Sequence, residues 1–530
     1  MLSEEQKMQQ QQNIVVTTWD NVPYGVIADD IDGAVKDSYF QEIDEINRLY
    51  KIYENGVSFL TEGSGGDYVP SSLRYKKAAS ILNKEVRFLF SKTPDFNINA
   101  DDVNSGKTKK NSVLQDLVKK VLKKSNFSDS LLKACKDCFI GKRIAIVVNF
   151  NEETGIRVSF LNSLSFLYET DLEDVNKITK FVFFFNTVNT LNRNEQRYFK
   201  KTYVLENEVC WIKEEIFNGL GELIETVTEL RETNLNFIPC CVVRNDGLTG
   251  ELNGTSELGY LVGYEGEYSR LANADIDAER KSMNPIRYTI DVSEESTRNL
   301  SSGPGSYWDL QSDDTKSENK EAKVGLIESN MAYSSALKTT LDRLENTMYS
   351  EVDVPNINSE KLQGVITSGK TISALYWGLS VRCDEKMLAW STGLEFVARA
   401  IIEGAKQYPS IAKAYVEEKI PDIVYEVEVV NNYALPEDEQ EEKDMDISEV
   451  TAQVMSRKSY LKKWRQMSDE DAEEELMQIK REQQLFEDSD FGYEKDDAED
   501  DDFDIHQSSP DDPGLKENKK ANILINKVQN

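Results

Sequence analysis

The amino-acid sequence predicts an α+β fold, and three observations carry that expectation. Stretches with apolar residues at helical spacing lie before residue 140. β-rich runs separated by Asn, Asp and Gly turns follow, between residues 143 and 186. From Ser256 onward the texture changes to long helical runs interrupted by one small strand-like module.

Residues 1–36 are polar and Gln-rich and are expected to form a flexible N-terminal arm. DSYFQEIDEINRLYKIYENG then gives a helix that stops at Gly56. After the turn EGSGGD, the run LRYKKAASILNKEVRFLFSKTP predicts a second helix. Ala79, Leu82, Val86 and Leu89 form its apolar stripe and Pro94 ends it. Residues 112–139 read as a pair of short helices. RIAIVVNF, GIRVSFLN and ITKFVFFFN read as strands, so an α+β region spans roughly 37–250.

SELGYLVGYEGEYSRLANADIDAERKSM contains no proline and has Ser256 at the N-cap position, which predicts a long helix over 256–283. IRYTID and KVGLI flank the loop NLSSGPGSYWDLQSDD and predict a small projecting module over 284–328. SALKTTLDRLENTMYS places Leu337, Leu341, Leu344 and Met348 on one helix face. The longest helix is expected from about Thr371 to Gln407, on the order of 50 Å at 1.5 Å per residue. IVYEVEVV returns one strand, residues 446–485 are helical again, and beyond Phe486 the chain is too acidic and too poor in apolar residues to fold alone.

Between the last two long helices lies GVITSGKT, residues 364–371, which satisfies the P-loop pattern G-x-x-x-x-G-K-[ST]. A working P-loop needs a buried strand running into it, and DVPNINSEKLQ supplies proline, asparagines and charge instead. An acidic residue ending a second apolar strand is also missing, since Asp422 precedes IVYEVEVV. Capping of a helix start by Ser368 or Thr371 is the favoured reading, and a P-loop ATPase is the alternative. The 62 basic and 95 acidic residues give a net charge of −33, which argues against electrostatic capture of nucleic acid but allows a surface past which DNA slides. Cys135 and Cys138 have half-zinc-site spacing without a second pair, and the only histidine is His506. Buried thiols are therefore expected, with no metal, no cofactor and no catalytic site. No stretch approaches the length of a transmembrane helix, so no membrane partner is expected.

This order of elements resembles the portal proteins of tailed bacteriophages, particularly those of Gram-positive hosts, over about residues 37–485. Three stretches carry the resemblance: RYKKAASILNKEVRFLFSKTPDFNI, FIPCCVVRNDGLTGELNGTSELG and VITSGKTISALYWGL. The resemblance implies a portal-like division: an α/β wing over 37–255, stem helices at 256–283 and 329–351, a clip at 284–328 and a tunnel loop at 352–369. A long helix and returning wing strand would occupy 370–435, a helical crown 436–486 and an acidic disordered tail 487–530.

It further implies a homo-oligomeric ring, usually of twelve copies, at one capsid vertex. Such a ring is assembled in the host cytoplasm and carried in the virion. Double-stranded DNA passes through without sequence-specific contact during packaging and ejection. The implied partners are the terminase large subunit, the major capsid and scaffold proteins, and the head-tail connector or adaptor. Asn356, Asn358, Lys361 and Gln363 would be the channel residues, Ser368 and Gly369 the loop-to-helix hinge, and Trp308 a clip contact with a partner. A non-portal phage structural or adaptor protein is a further alternative.

Overall fold

The computed structural model describes residues 22–58, 69–101, 108–186, 197–248, 251–283, 286–297, 308–312, 321–327, 331–357, 373–433, 439–465 and 467–489. Two compact units divide the chain after Glu437. The first holds nearly all of the apolar core, which is built around one helix.

Four helices precede the main sheets after a short first turn, α1 (Tyr24–Ile27): α2 (Lys36–Asn55), α3 (Lys77–Phe90), α4 (Ser112–Lys124) and α5 (Phe127–Gly141). α2 ends at Gly56, whose φ of 72° lies in the left-handed region and lets its N–H reach back to the Ile52 carbonyl at 2.7 Å. In α4, Asn111 accepts from the Leu114 N–H at 3.1 Å and caps the helix, while Leu114, Leu117, Val118, Val121 and Leu122 are buried.

Strands β1 (Asp95–Asp101) and β2 (Thr108–Lys110) pair with β13 (Tyr425–Val430) in the order β13-β1-β2. β3 (Arg143–Asn151), β4 (Gly155–Asn162) and β10 (Cys240–Arg244) form a second antiparallel sheet, β10-β3-β4. Between them in sequence lies a five-stranded antiparallel meander: β5 (Phe166–Thr170), β6 (Ile178–Asn186), β7 (Arg197–Glu206), β8 (Val209–Asn218) and β9 (Leu223–Glu232). The β1–β13 pairing sets Phe96 opposite Val429 and Ile98 opposite Val427, joining segments more than three hundred residues apart.

The long helices follow: α6 (Glu257–Met283), a two-stranded hairpin of β11 (Ile286–Ile290) and β12 (Lys323–Ile327) enclosing α7 (Glu294–Thr297), then α8 (Ser334–Glu351) and α9 (Trp377–Gln407). α9 buries Leu379, Cys383, Met387, Trp390, Leu394, Val397, Ile401 and Ala405, a continuous stripe at spacings of three and four. Glycine brings this helix onto the sheet: a β-carbon at Gly404 would stand 2.1 Å from the Phe150 ring, and one at Gly393 would stand 2.5 Å from Val243. α10 (Pro409–Ala412) turns the chain back toward β13.

The second unit contains α11 (Glu439–Thr451), α12 (Arg457–Arg465) and α13 (Asp469–Ser489). Ser456 and Ser468 cap α12 and α13 through their hydroxyls, at 3.1 Å to the Ser459 and Asp471 N–H groups. Asp446 accepts from the Trp464 indole at 2.7 Å and pairs with Lys463 at 2.7 Å, fixing α11 to α12.

Two boundaries need correction. The stretch 22–35, read as part of a flexible arm over 1–36, is packed: Val26 and Ile27 are fully buried against Val182, Phe184, Tyr198 and Phe217. Asp30 pairs with Lys200 at 2.6 Å and Lys180 at 3.1 Å. A few apolar residues in a polar context suffice when they meet a preformed aromatic sheet face. The helix expected to end near 486 runs on to Ser489.

Candidate functional site at the start of the long helix

The junction of α3, α6, α8 and α9 is held by a buried ion cluster. Arg382 and Lys386 lie one turn apart on α9, Glu257 opens α6, and Glu85 stands on α3. Arg382 donates to Glu257 Oε2 at 2.5 Å and to Glu85 Oε1 at 3.2 Å. Lys386 donates to Glu257 Oε1 and, at 3.1 Å, to the Asn245 side-chain oxygen. Asn245 in turn donates to Glu257 Oε1 at 3.2 Å and to the Thr255 carbonyl at 2.9 Å. Asp353, just beyond α8, approaches Arg382 at 3.7 Å. Two carboxylates and two cations thus meet where the first long helix begins, the second ends and the third begins.

Burial forces the two acids apart electrostatically. Burial, then the neighbouring Glu257 charge, pushes Glu85 up to about 8 despite Lys386 and Arg382. Its Oε2 has no hydrogen-bond partner among the described residues, which favours the neutral form. Burial would also raise Glu257, but Lys386 and Arg382 outweigh it and hold that carboxyl below the usual range. Burial works to lower Lys386 and Arg382, and the two glutamates raise both.

The sign of the resulting pH dependence follows. Glu85 binds its proton more tightly folded than unfolded, so its contribution is fully present below the ordinary value of 4.5 and is lost as pH rises through about 8. Glu257, lowered, contributes above 4.5 and loses that contribution as pH falls. Glu85→Gln, which keeps the acceptor to Arg382 and cannot ionise, is expected to flatten the fall in melting temperature between pH 5 and 8. Calorimetry of both proteins across that range checks it; equal slopes would contradict a neutral Glu85.

A second set of contacts fastens α6 to the extended chain before α3. Glu265 accepts from the Ala78 N–H at 2.7 Å, Asn273 accepts from the Leu73 N–H at 2.8 Å and donates to its carbonyl at 2.7 Å, and Asp277 accepts from the Ser71 N–H at 2.9 Å. The spacing of 265, 273 and 277 puts these groups on one helix face. α8 lies antiparallel on α6, with Tyr264 donating to Glu351 at 3.0 Å near one end and Tyr333 beside Asp275 near the other. Met348 is buried, while Leu337, Leu341 and Leu344 remain half-buried. Lys77 pairs with Glu345 at 2.6 Å and Lys84 donates to the Tyr349 hydroxyl at 2.8 Å, tying α8 to α3.

The chain leaves α8 through residues 352–357, which contain no strand. Asn356, one expected channel residue, donates to the Asn346 side-chain oxygen at 2.9 Å. Asn358, Lys361, Gln363, Ser368, Gly369 and Lys370 lie outside the described residues. Where the chain is next described, Tyr376 stacks on Phe88 at 5.6 Å, and Tyr433 stacks on Phe88 at 5.1 Å and donates to Asp384 at 2.6 Å. The chain before residue 358 is thus held to α8 through Asn356, and the chain after residue 372 rests on α3 through Tyr376. Trp308 is half-buried, with the Arg287 guanidinium 5.2 Å over its ring. Cys135 and Cys138 are buried in the core of α5, where Cys138 Sγ lies 3.8 Å from the Val243 carbonyl.

The ion cluster was not among the residues singled out from sequence. Its signal was present in the pattern: Glu85 interrupts the stripe Leu82, Val86, Leu89, and Lys386 interrupts Cys383, Met387, Trp390. A charge on the apolar face of a buried helix implies a buried partner, without saying which.

Among solved structures, the chain is similar to one described as "Neck of native GTA particle computed with C12 symmetry". The identity is 8%, covering 73% of this chain and 88% of that chain at a TM-score of 0.33. It is also similar to "Neck of empty GTA particle computed with C6 symmetry", at 8% identity over 73% and 87% with a TM-score of 0.34. No curated protein matches the chain. The family description "Phage portal protein, SPP1 Gp6-like" matches residues 32–485, a span that takes in the meander, the ion cluster, all three long helices and most of the terminal helical unit. By that match the chain belongs to the SPP1 Gp6-like family of phage portal proteins.

Proposed function

We propose that the chain assembles into a closed ring at one capsid vertex, through which double-stranded DNA enters during packaging and leaves at ejection. The family match carries this reading, and the half-buried stripe Leu337, Leu341, Leu344 on α8 supports it. A cyclic ring needs two different complementary faces on each subunit. The α6–α8 pair offers candidates: exposed Tyr260, Glu267, Arg270 and Ala274 on α6, and exposed Lys338, Asp342, Arg343 and Asn346 on α8.

In this reading α6 and α8 are the stem, the β11–β12 hairpin with Trp308 the clip, and residues 352–369 the tunnel loop with Asn356, Asn358, Lys361 and Gln363 toward DNA. Ser368 and Gly369 are the hinge into the long helix. The ion cluster is the fixed base on which that connection bears. The ring is the docking site for the terminase large subunit and later for the head-tail connector, and capsid and scaffold proteins surround it. A channel in a chain of net charge −33 keeps DNA phosphates hydrated, so the duplex slides without repeatedly breaking ion pairs. Motor chemistry resides in the terminase, and this chain turns over no substrate.

Titration with Mg·ATP separates this reading from the P-loop alternative. No heat of binding is expected, and Lys370→Ala should change stability by no more than about 0.5 kcal/mol. Micromolar binding abolished by Lys370→Ala would overturn the hinge assignment and restore an ATPase.

A further inference from the structure

Two surfaces of the α/β region have no role in the ring as described. The first is the outer edge of the meander, where β9 pairs with β8 on one side and, among the described residues, with nothing on the other. It carries Leu223, Ile224, Val227 and Leu230, each about half exposed, and exposed Glu225, Glu229 and Glu232. None of these three glutamates has an ion-pair partner among the described residues. An edge this long and this apolar is a surface that proteins cover.

The second is basic. Residues 107–143 hold eleven lysines and arginines against three acids, in a chain of net charge −33. Lys119 and Lys123, one turn apart on α4, are exposed and have no ion-pair partner among the described residues. They line a groove of about 620 Å³ between the start of β1, α4 and α5, whose apolar lining is Phe96, Val118, Leu122 and Phe127. The acids beside it are already engaged: Asp129 pairs with Lys133 at 2.6 Å, and Asp95 accepts from the Asn432 amide at 3.1 Å. Lys120 and Lys124, also exposed, add charge next to the groove.

The sheet between these surfaces sets their directions. Ile144, Ile146 and Val148 of β3 pack with α4, α5 and α9, whereas the alternate residues Ala145 and Val147 pack with the meander. The α4–α5 layer and the meander therefore stand on opposite faces of the β10-β3-β4 sheet. A ring built head to tail needs two different surfaces on opposite sides of each subunit. Copies of so acidic a chain repel one another, so neighbours also need local attraction between opposite charges.

We propose that the β9 edge of one subunit docks against the α4–α5 face of the next, its glutamates meeting Lys119 and Lys123 and its exposed apolar residues covering the groove. The contact rests on the ring assembly proposed above and adds a second interface to that of the α6–α8 pair. Charge complementarity identifies the occupant: the groove presents free lysines around an apolar lining, and β9 presents free glutamates among exposed apolar side chains. Docking there closes the free edge and uses each surface once per subunit.

Mass photometry of the full-length protein and its charge-reversed variants tests the contact. The wild type should form rings. Lys119→Glu with Lys123→Glu should lower the fraction of chains in rings about tenfold or more at fixed concentration, because like charges then face each other. Glu225→Lys with Glu229→Lys should do the same. All four substitutions in one chain restore opposite signs and should bring the rings back. Unchanged ring yield in both paired variants, or a loss that the fourfold variant does not reverse, would overturn this contact and leave ring assembly standing. Absence of wild-type rings, with capsid and scaffold proteins supplied, would overturn both.

Discussion

Lys386→Ala is expected to destabilise the protein by about 3–5 kcal/mol, the range found when one partner of a buried ion pair is removed. Lys386 is buried and donates to Glu257 and to Asn245. Without it, Glu257 keeps Arg382 but loses the cation that most strongly holds its carboxyl ionised. Two buried carboxyls would then share one guanidinium, with less Coulombic attraction to offset their desolvation. Because the cluster joins α3, α6 and α9, the deficit should appear in the main unfolding transition and not as local fraying. Denaturant titration of the wild type and the variant measures it. A second variant, Lys386→Ala with Glu85→Gln, removes one acid together with the cation and should recover part of the loss. A cost below about 1 kcal/mol for Lys386→Ala would show that the cluster is solvated and carries no structural load.

Gly404→Ala should also destabilise, by about 1–3 kcal/mol, against the direction of helix propensity. In an open helix interior, alanine gains about 1 kcal/mol over glycine. At Gly404 the added carbon would stand 2.1 Å from the ring of Phe150, which is stacked on Tyr408 at 5.5 Å, so the aromatic pair or the helix must move. Gly263, on α6, provides the control: nothing lies within 4 Å of its β-carbon position, and Gly263→Ala should stabilise in line with propensity. Opposite signs for two identical substitutions in two helices would locate the close helix–sheet contact. A gain at both positions would contradict the packing described for α9.

Local pattern carried the long helices, because their apolar stripes span many turns. The stripe on α3 and the proline-free run of α6 were readable from sequence, as were β3, β4, β6, β11, β12 and β13. Most of the meander was not. β8 (VCWIKEEIFN) and β9 (LIETVTELRE) carry glutamates at several positions, and in β9 even the apolar residues are exposed, so no clean alternation marks it. β1 was hidden for another reason. DFNINAD looks like a polar turn until β13 arrives from the far end of the chain to place Phe96 and Ile98 in the core. Pairings of that separation leave no trace in a local window.

The site was legible only in part. The helix start after GVITSGKT could be argued from the missing strand, and residues 358–372 lie outside the described residues. The ion cluster was out of reach because its five members come from four segments, at 85, 245, 257 and 382–386, and only the fold brings them together. Sequence can flag Glu85 and Lys386 as charges on apolar faces; their pairing through Glu257 is a property of tertiary structure. The portal resemblance rests on the order of elements and on three short stretches, and the match over 32–485 places the chain in that family.

The mass of the purified particle in solution decides whether the chain assembles into a ring. Mass photometry, with two-dimensional class averages from negative stain, should give closed rings with a central channel and a mass near a whole multiple, on the order of twelve, of the 60.4 kDa chain. Monomers and dimers alone, persisting when capsid or scaffold protein is supplied, would contradict it.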